Sequence, residues 1–321
     1  MPGEKAAITV YRQRLYSRMP CAGYGKDYPK PVTAGISKNK FTHDIIIPGE
    51  GWKLVGEGYG FNEGTGVNAA GEVFFQDIPN SKTYKIDLNG KLTMLKLDSK
   101  KASGTAFGPN GTRYTVATET SQILSYDKNN KETIVADNIA GNDLTVANNG
   151  NIYVTAPNGT DKPSKIWLIK PNGEKIVVDE GIKYSNGLAL SPDQTELYIA
   201  ESTTHWIWAY QVKPDGTLTA KQHFGWLHVP DGADNAGPDG IKCDQNNRIY
   251  VATKLGIQVM DEIGRVISII PVPQGSGITN LCFGGPNFDM LYVACINKVY
   301  RRKVGVRGAN SFDKPFKPVI P

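Results

Sequence analysis

Histidine and cysteine are scarce in this chain, four of each in 321 residues. Cys21, Cys243, Cys282 and Cys295 form no C-x-x-C pair, so neither a thiolate zinc site nor a dithiol redox motif is indicated. Cys243, Cys282 and Cys295 fall in strand-like runs and read as small buried apolar residues. No G-x-S-x-G serine accompanies His205, which leaves a nucleophile-elbow hydrolase unsupported. Long hydrophobic runs are missing too. No apolar stretch approaches the roughly 20 residues a membrane helix needs, so no membrane partner is expected. Long segments with apolar residues at i, i+3, i+4 and i+7 are also absent, which argues against a helical fold.

Negative charge is not scarce, although the total is +5. Residues 1–50 carry 8 Lys/Arg against 4 Asp/Glu, and residues 298–321 carry 7 against 1, leaving 21 basic and 26 acidic residues between them. The basicity belongs to the ends. An acidic body is a poor partner for a phosphate backbone, so nucleic acid is not expected as a ligand. The basic run Tyr300-Arg-Arg-Lys reads as a solvated edge strand that discourages sheet-to-sheet aggregation.

What the chain does have is a repeat. A polar residue, often followed by glycine, precedes an apolar position, a turn and a strand aromatic, and this pattern recurs six times. The polar position falls on Glu63, Ser103, Asn142, Asn186, Asp239 and Asn280, and the apolar one on Val67, Phe107, Val146, Leu190, Cys243 and Phe283. The aromatics are Phe74, Tyr114, Tyr153, Tyr198, Tyr250 and Tyr292, lying 11, 11, 11, 12, 11 and 12 residues after their polar partners by subtraction. Successive aromatics are 40, 39, 45, 52 and 42 residues apart. That is the length of one four-stranded propeller blade, roughly 40–50 residues. Asn89-Gly90, Asn110-Gly111, Asn149-Gly150, Asn172-Gly173 and Asp215-Gly216 supply hairpin turns. The fold class is therefore all-β, a six-bladed β-propeller.

Three regions follow: an N-terminal extension at 1–50, the propeller at 51–305 and a Pro-rich tail at 306–321. One terminus of a propeller often donates a strand that closes the last blade, and Phe41 to Leu54 is the expected donor. His223 to Gly237 is the longest insertion and is expected to wall or cover one channel mouth. The opening Met1-Pro-Gly-Glu-Lys shows no signal peptide. A cytoplasmic protein is expected if Met1 is native, a periplasmic or secreted one if an export signal has been removed.

Innermost strands line the channel, so the six polar positions form a ring. Two carboxylates and three carboxamides at one level require partners, because unpaired buried polar groups cost a few kcal/mol each. Either channel water or a bound cation would satisfy them. The all-oxygen set favours a hard ion, Ca²⁺ over Mg²⁺ or Zn²⁺. Held by Glu63, Asn142, Asn186 and Asp239, such an ion could polarise an ester carbonyl, with Asp239 as general base. Ser103, Asn280 and Asn142 face the same space as candidate substrate contacts, and Glu119 could reach the mouth from the second blade.

Phe61-Asn-Glu-Gly, Phe75-Gln-Asp-Ile-Pro-Asn, Asn142-Asp143, Ser185-Asn-Gly-Leu-Ala-Leu-Ser-Pro-Asp, Leu197-Tyr-Ile-Ala-Glu-Ser, Pro238-Asp-Gly and Phe283-Gly-Gly-Pro resemble, in order and spacing, the SMP-30/gluconolactonase/regucalcin-like family over about residues 55–305. The resemblance implies a propeller that hydrolyses sugar lactones at a divalent-metal site, usually calcium. It gives Glu63, Asn186 and Asp239 ligand roles, Asn142 a metal or substrate role, and Asp239 that of base. Some members carry an arginine two residues before the Asn-Asp pair, where this chain has Ala140. The alternatives are a related metal-dependent esterase or phosphotriesterase, and a non-catalytic ligand-binding propeller whose ion is structural.

Overall fold

The computed structural model describes residues 40–273 and 277–317. Within them lie six four-stranded antiparallel sheets. The first blade runs from Asn62–Val67 through Val73–Asp77 and Lys82–Ile86 to Leu92–Leu97, and the next four repeat that meander. Their innermost strands are Ala102–Phe107, Leu144–Val146, Ser185–Leu190 and Ile241–Cys243, and that of the sixth blade is Ile278–Gly284. All six repeat aromatics lie on the second strand of their blade, as the register requires.

Burial falls outward across each blade. Val73–Asp77, Ile249–Thr253 and Ile278–Gly284 are buried along their whole length, whereas the outer strand Leu92–Leu97 is largely in solvent. Five of the apolar clusters each join two consecutive blades, for example Tyr153, Leu168, Leu188 and Ile199 between the third and fourth. Each such side chain contributes about 1.5–3 kcal/mol of burial. Asx turns fix several hairpins: Asp87 Oδ1 accepts from the Asn89 and Lys91 N–H groups, and Asp127 does the same for Asn129 and Lys131.

The ring closes later in the chain than expected. Lys53–Glu57 is the outermost strand of the sixth blade, paired with Lys298–Lys303. Phe41 to Leu54 supplies only its first two residues; upstream are the short helix Lys40–Ile45 and the bridge Ile46–Val304. The strand carrying Arg301, Arg302 and Lys303 is consequently not an edge, because Lys53–Glu57 covers it. Trp52 packs under the Arg302 guanidinium at 5.5 Å.

The proline-rich tail crosses the far end of the channel. Ala309 N–H donates to Cys243 O at 2.9 Å, Asn148 Nδ2 to Phe312 O at 2.8 Å, Gln194 Nε2 to Ser311 O at 2.8 Å and Phe316 N–H to Pro192 O at 3.1 Å. These bonds tie the tail to the third, fourth and fifth blades. One mouth is thus floored by the tail, and at the other, where the innermost strands begin, Asn142 and Asp239 keep partial solvent exposure.

Candidate active site at the open mouth of the channel

Glycine lets the inner strands meet at this mouth. A Cβ on Gly64, at φ +59°, would lie 1.7 Å from Ser103 O, and one on Gly187 2.3 Å from Asp239 O. Only a residue without a side chain permits such approach. A Cβ on Gly240 would likewise lie 2.6 Å from the Asn280 carboxamide carbon, and the residues before these three glycines, Glu63, Asn186 and Asp239, come together: the Glu63 charge and the Asn186 carboxamide both act on the Asp239 carboxyl.

Asn280 completes this group across the closure between the last and first blades. Its Nδ2 donates to Glu63 Oε1 at 2.6 Å, while its Oδ1 accepts from Thr65 Oγ1 at 2.9 Å and from Leu281 N–H at 2.8 Å. Asn280 is 1% exposed, and both ends of its carboxamide are engaged by these partners. Ser103 is likewise committed: its hydroxyl donates to Asn142 O and it is buried. Glu119 is solvent-exposed and 3.6 Å from Lys101 Nζ, in the turn after Arg113–Ala117, whose last residue pairs with Ala102 beside Ser103. Of the three candidate substrate contacts at ring positions, Asn142 keeps a partly exposed side chain without a protein hydrogen bond.

Asp143 joins the site although the register passes over it. Strand pairing begins only at Leu144, so Asn142 and Asp143 do not alternate as strand residues do. Asp143 is 3% exposed, its Oδ1 accepts from Leu144 N–H at 2.8 Å, and its Oδ2 is buried with no hydrogen-bond partner. Gly104 makes room for it: a Cβ there would lie 2.5 Å from Asp143 Oδ1. The signal available in sequence is the pairing of a second acid with a glycine at the equivalent step of the previous blade.

Three carboxyls therefore share one desolvated space. Burial pushes Glu63 up to about 7, the Asn280 hydrogen bond opposing and the Asp143 charge adding to the rise. Burial also lifts Asp239 well above the usual carboxylate range, with Glu63 and then Asp143 adding and the Asn186 carboxamide opposing. Asp143 is raised by burial against the pull of Lys242. Asp239 keeps some solvent exposure at the mouth. Asn186 is oriented from behind, its Nδ2 donating to Ser202 Oγ at 3.0 Å, which in turn donates to Pro238 O at 2.6 Å. This arrangement leaves the Asn186 carbonyl for the axis.

Such a set fits a hard cation. The donors are all oxygen, the carboxyls are crowded and desolvated, and one buried oxygen lacks a partner. Among the described residues no three His, Cys, Asp or Glu form a metal cluster by themselves. A cation here would need the carboxamides of Asn142 and Asn186 beside Glu63 and Asp239.

Residues 227–240 connect the outer strand of the fourth blade to the inner strand of the fifth. His223 to Trp226 belong instead to the outer strand Leu218–Trp226, where His205 stacks on Trp226 with ring centroids 4.1 Å apart. Leu227 N–H donates to His205 O, Ala236 N–H to Thr204 O, and Lys254 Nζ to Asn235 Oδ1 at 2.7 Å. The segment leads straight into Asp239. Among the described residues no helix is long and apolar enough to cross a membrane.

Comparison with known proteins bears on the family and the fold. The family model of the SMP-30/Gluconolactonase/LRE-like region matches residues 61–297. The gluconolactonase of Zymomonas mobilis is 26% identical over 223 residues, 62% of this chain and 62% of that enzyme's own length. The solved gluconolactonase of Xanthomonas campestris has the same fold at a TM-score of 0.70, with 20% identity over 79% of this chain and 89% of that one. The calcium-binding regucalcin of Agrobacterium tumefaciens superposes at a TM-score of 0.68, with 17% identity over 84% and 98%. The matched region takes in the propeller from Phe61 to the last blade, and the chain belongs to the SMP-30/gluconolactonase/LRE-like family.

Proposed function

We propose that this protein is a metal-dependent lactonase that opens the ring of a sugar lactone, with Ca²⁺ as the ion in place. The observation that carries this reading is the pairing of Glu63 and Asp239, two desolvated carboxyls with raised proton affinity, beside carboxamides at an open channel mouth. The curated relative is a gluconolactonase, and one fold neighbour is a calcium-binding protein.

Glu63, Asn142, Asn186 and Asp239 would hold the ion. When bound, it withdraws electrons from the lactone carbonyl and stabilises the charge that develops on its oxygen. Asp239 reaches solvent and takes the proton of the water that attacks the acyl carbon. Breaking the acyl C–O bond releases the ring oxygen as a hydroxyl, which recovers that proton. Asn280 keeps Glu63 turned toward the axis throughout. Asn142, with its side chain at the mouth, contacts the ion or the sugar hydroxyls, and the 227–240 connection limits the space above.

The test follows proton release from D-glucono-1,5-lactone and a panel of γ- and δ-lactones. It compares chelated protein, protein reloaded with Ca²⁺, Mg²⁺ or Zn²⁺, and Asp239→Asn. Turnover that requires the ion and fails in the variant is expected. Ion binding without turnover on any lactone would replace this reading with a binding propeller whose ion is structural.

A further inference from the structure

Below the ring the channel has a second tier. Three residues on from the ring positions stand Gly66, Ala106, Thr145, Ala189 and Lys242, and all five line a cavity of about 60 Å³ above the tail residues Ala309 to Phe312. Four of these are small. The fifth is a lysine, whose neighbours Ile241 and Cys243 are buried in the apolar cluster between the fourth and fifth blades. Strand alternation then sends Lys242 the opposite way, into the channel.

The small residues on the other blades leave space for that side chain. Its Nζ donates to Ile241 O at 3.0 Å, a carbonyl on the ring side of its own Cα, so the ammonium bends back toward the carboxyls. Its charge also acts on Asp143, lowering that carboxyl's proton affinity against burial.

We infer that Lys242 is a built-in counter-cation of the ring, so that Glu63, Asp143 and Asp239 together present the charge complement of one divalent ion. Three carboxylates carry three negative charges when ionised, and the ammonium offsets one. Without it the ring would be over-charged when empty and would attract cations more strongly than one divalent ion satisfies. With it the site accepts an ion and can also release it. Lys242 touches neither substrate nor water in the reaction, so it is a positioning charge and not a catalytic residue. This inference rests on the proposed ion site.

The experiment compares wild type with Lys242→Met, Lys242→Gln and Lys242→Arg. It measures the melting temperature in chelator and the Ca²⁺ affinity by calorimetry at fixed salt and pH. Loss of the charge in Met and Gln is expected to lower the chelated melting temperature by several degrees and to tighten Ca²⁺ roughly tenfold, since unit charges in a partly buried site are poorly screened. Arg should track wild type on both. Met, Gln and Arg all behaving alike, or unchanged Ca²⁺ affinity in folded Gln and Met, would overturn the role while leaving the lactonase reading intact. Wild type binding no divalent ion would sink that reading separately. In that case a chelated melting temperature lower in Met and Gln than in Arg would still support the counter-charge, and equal values would remove it.

Discussion

Asn280 and Glu63 lie 217 positions apart in sequence and 2.6 Å apart in space, the Asn280 amide donating to a carboxyl oxygen across the junction of the last and first blades. The site is therefore complete only when the propeller is closed. Asn280→Ala should leave Glu63 without its donor in a buried setting, at a loss of about 1–3 kcal/mol in unfolding free energy. Ca²⁺ affinity should fall with it. Urea unfolding and calorimetry read the two effects, and unchanged affinity would show that Glu63 is held by something else.

Proton affinity at the ring sets a pH dependence with a definite sign. Glu63 is raised from 4.5 to about 7 on folding, and Asp143 and Asp239 move in the same direction. The folded protein then binds more protons than the unfolded chain between about pH 4.5 and 7, so the stability this confers is present below that window and is lost as pH rises through it. Chelated protein should lose about 2–3 kcal/mol across the range. Saturating Ca²⁺ should flatten the curve, because the ion stabilises the ionised carboxyls. Melting curves at several pH values, with chelator and with Ca²⁺, test this.

Asp239→Asn separates the cost of the site from its use. Replacing a desolvated carboxyl by a neutral amide of the same shape removes a buried charge, so the chelated variant should be as stable as wild type or more so. Its stabilisation by Ca²⁺ should nearly vanish. Turnover should drop at least about 100-fold, the usual effect of deleting a general base. A variant that is less stable in chelator would mean that the Asp239 charge is already well compensated in the empty ring.

Much of this architecture is legible in the chain because a propeller writes its register repeatedly. The interval from Glu63 to Phe74 recurs in every blade, and side chains at equivalent steps of equivalent strands must form a ring. What escapes the register depends on contacts that repetition does not encode. Asp143 reaches the channel because pairing in the third blade starts at Leu144, two residues after the ring position Asn142, whereas in the first, second and fourth blades it starts one residue before. Asn280 sits at a ring position, yet its carboxamide is taken by Glu63 and Thr65, partners supplied by the opposite end of the chain. The closing strand Lys53–Glu57 has no apolar alternation to mark it, its pattern being mostly exposed, so its place is set by the partner strand. The tail reads as coil because its bonds go to carbonyls and side chains of three other blades.

Two glycines with positive φ separate turn chemistry from close approach. Gly111 has φ +79° with nothing within 4 Å of where a Cβ would sit, whereas at Gly64, φ +59°, that position lies 1.7 Å from Ser103 O and 3.2 Å from the Gln76 side chain. Gly111→Ala should cost only the left-handed backbone penalty, about 1–2 kcal/mol. Gly64→Ala adds a backbone clash that rotamer changes cannot relieve, so its loss should exceed about 3 kcal/mol. The displacement has a direction: it drives the first inner strand from the second and carries Glu63 with it. Ca²⁺ affinity should therefore fall in Gly64→Ala and hold in Gly111→Ala, measured on folded protein below both melting transitions. Equal destabilisation and equal affinity in the two variants would mean that Gly64 serves its turn alone and that the ring does not depend on the contact between Gly64 and Ser103.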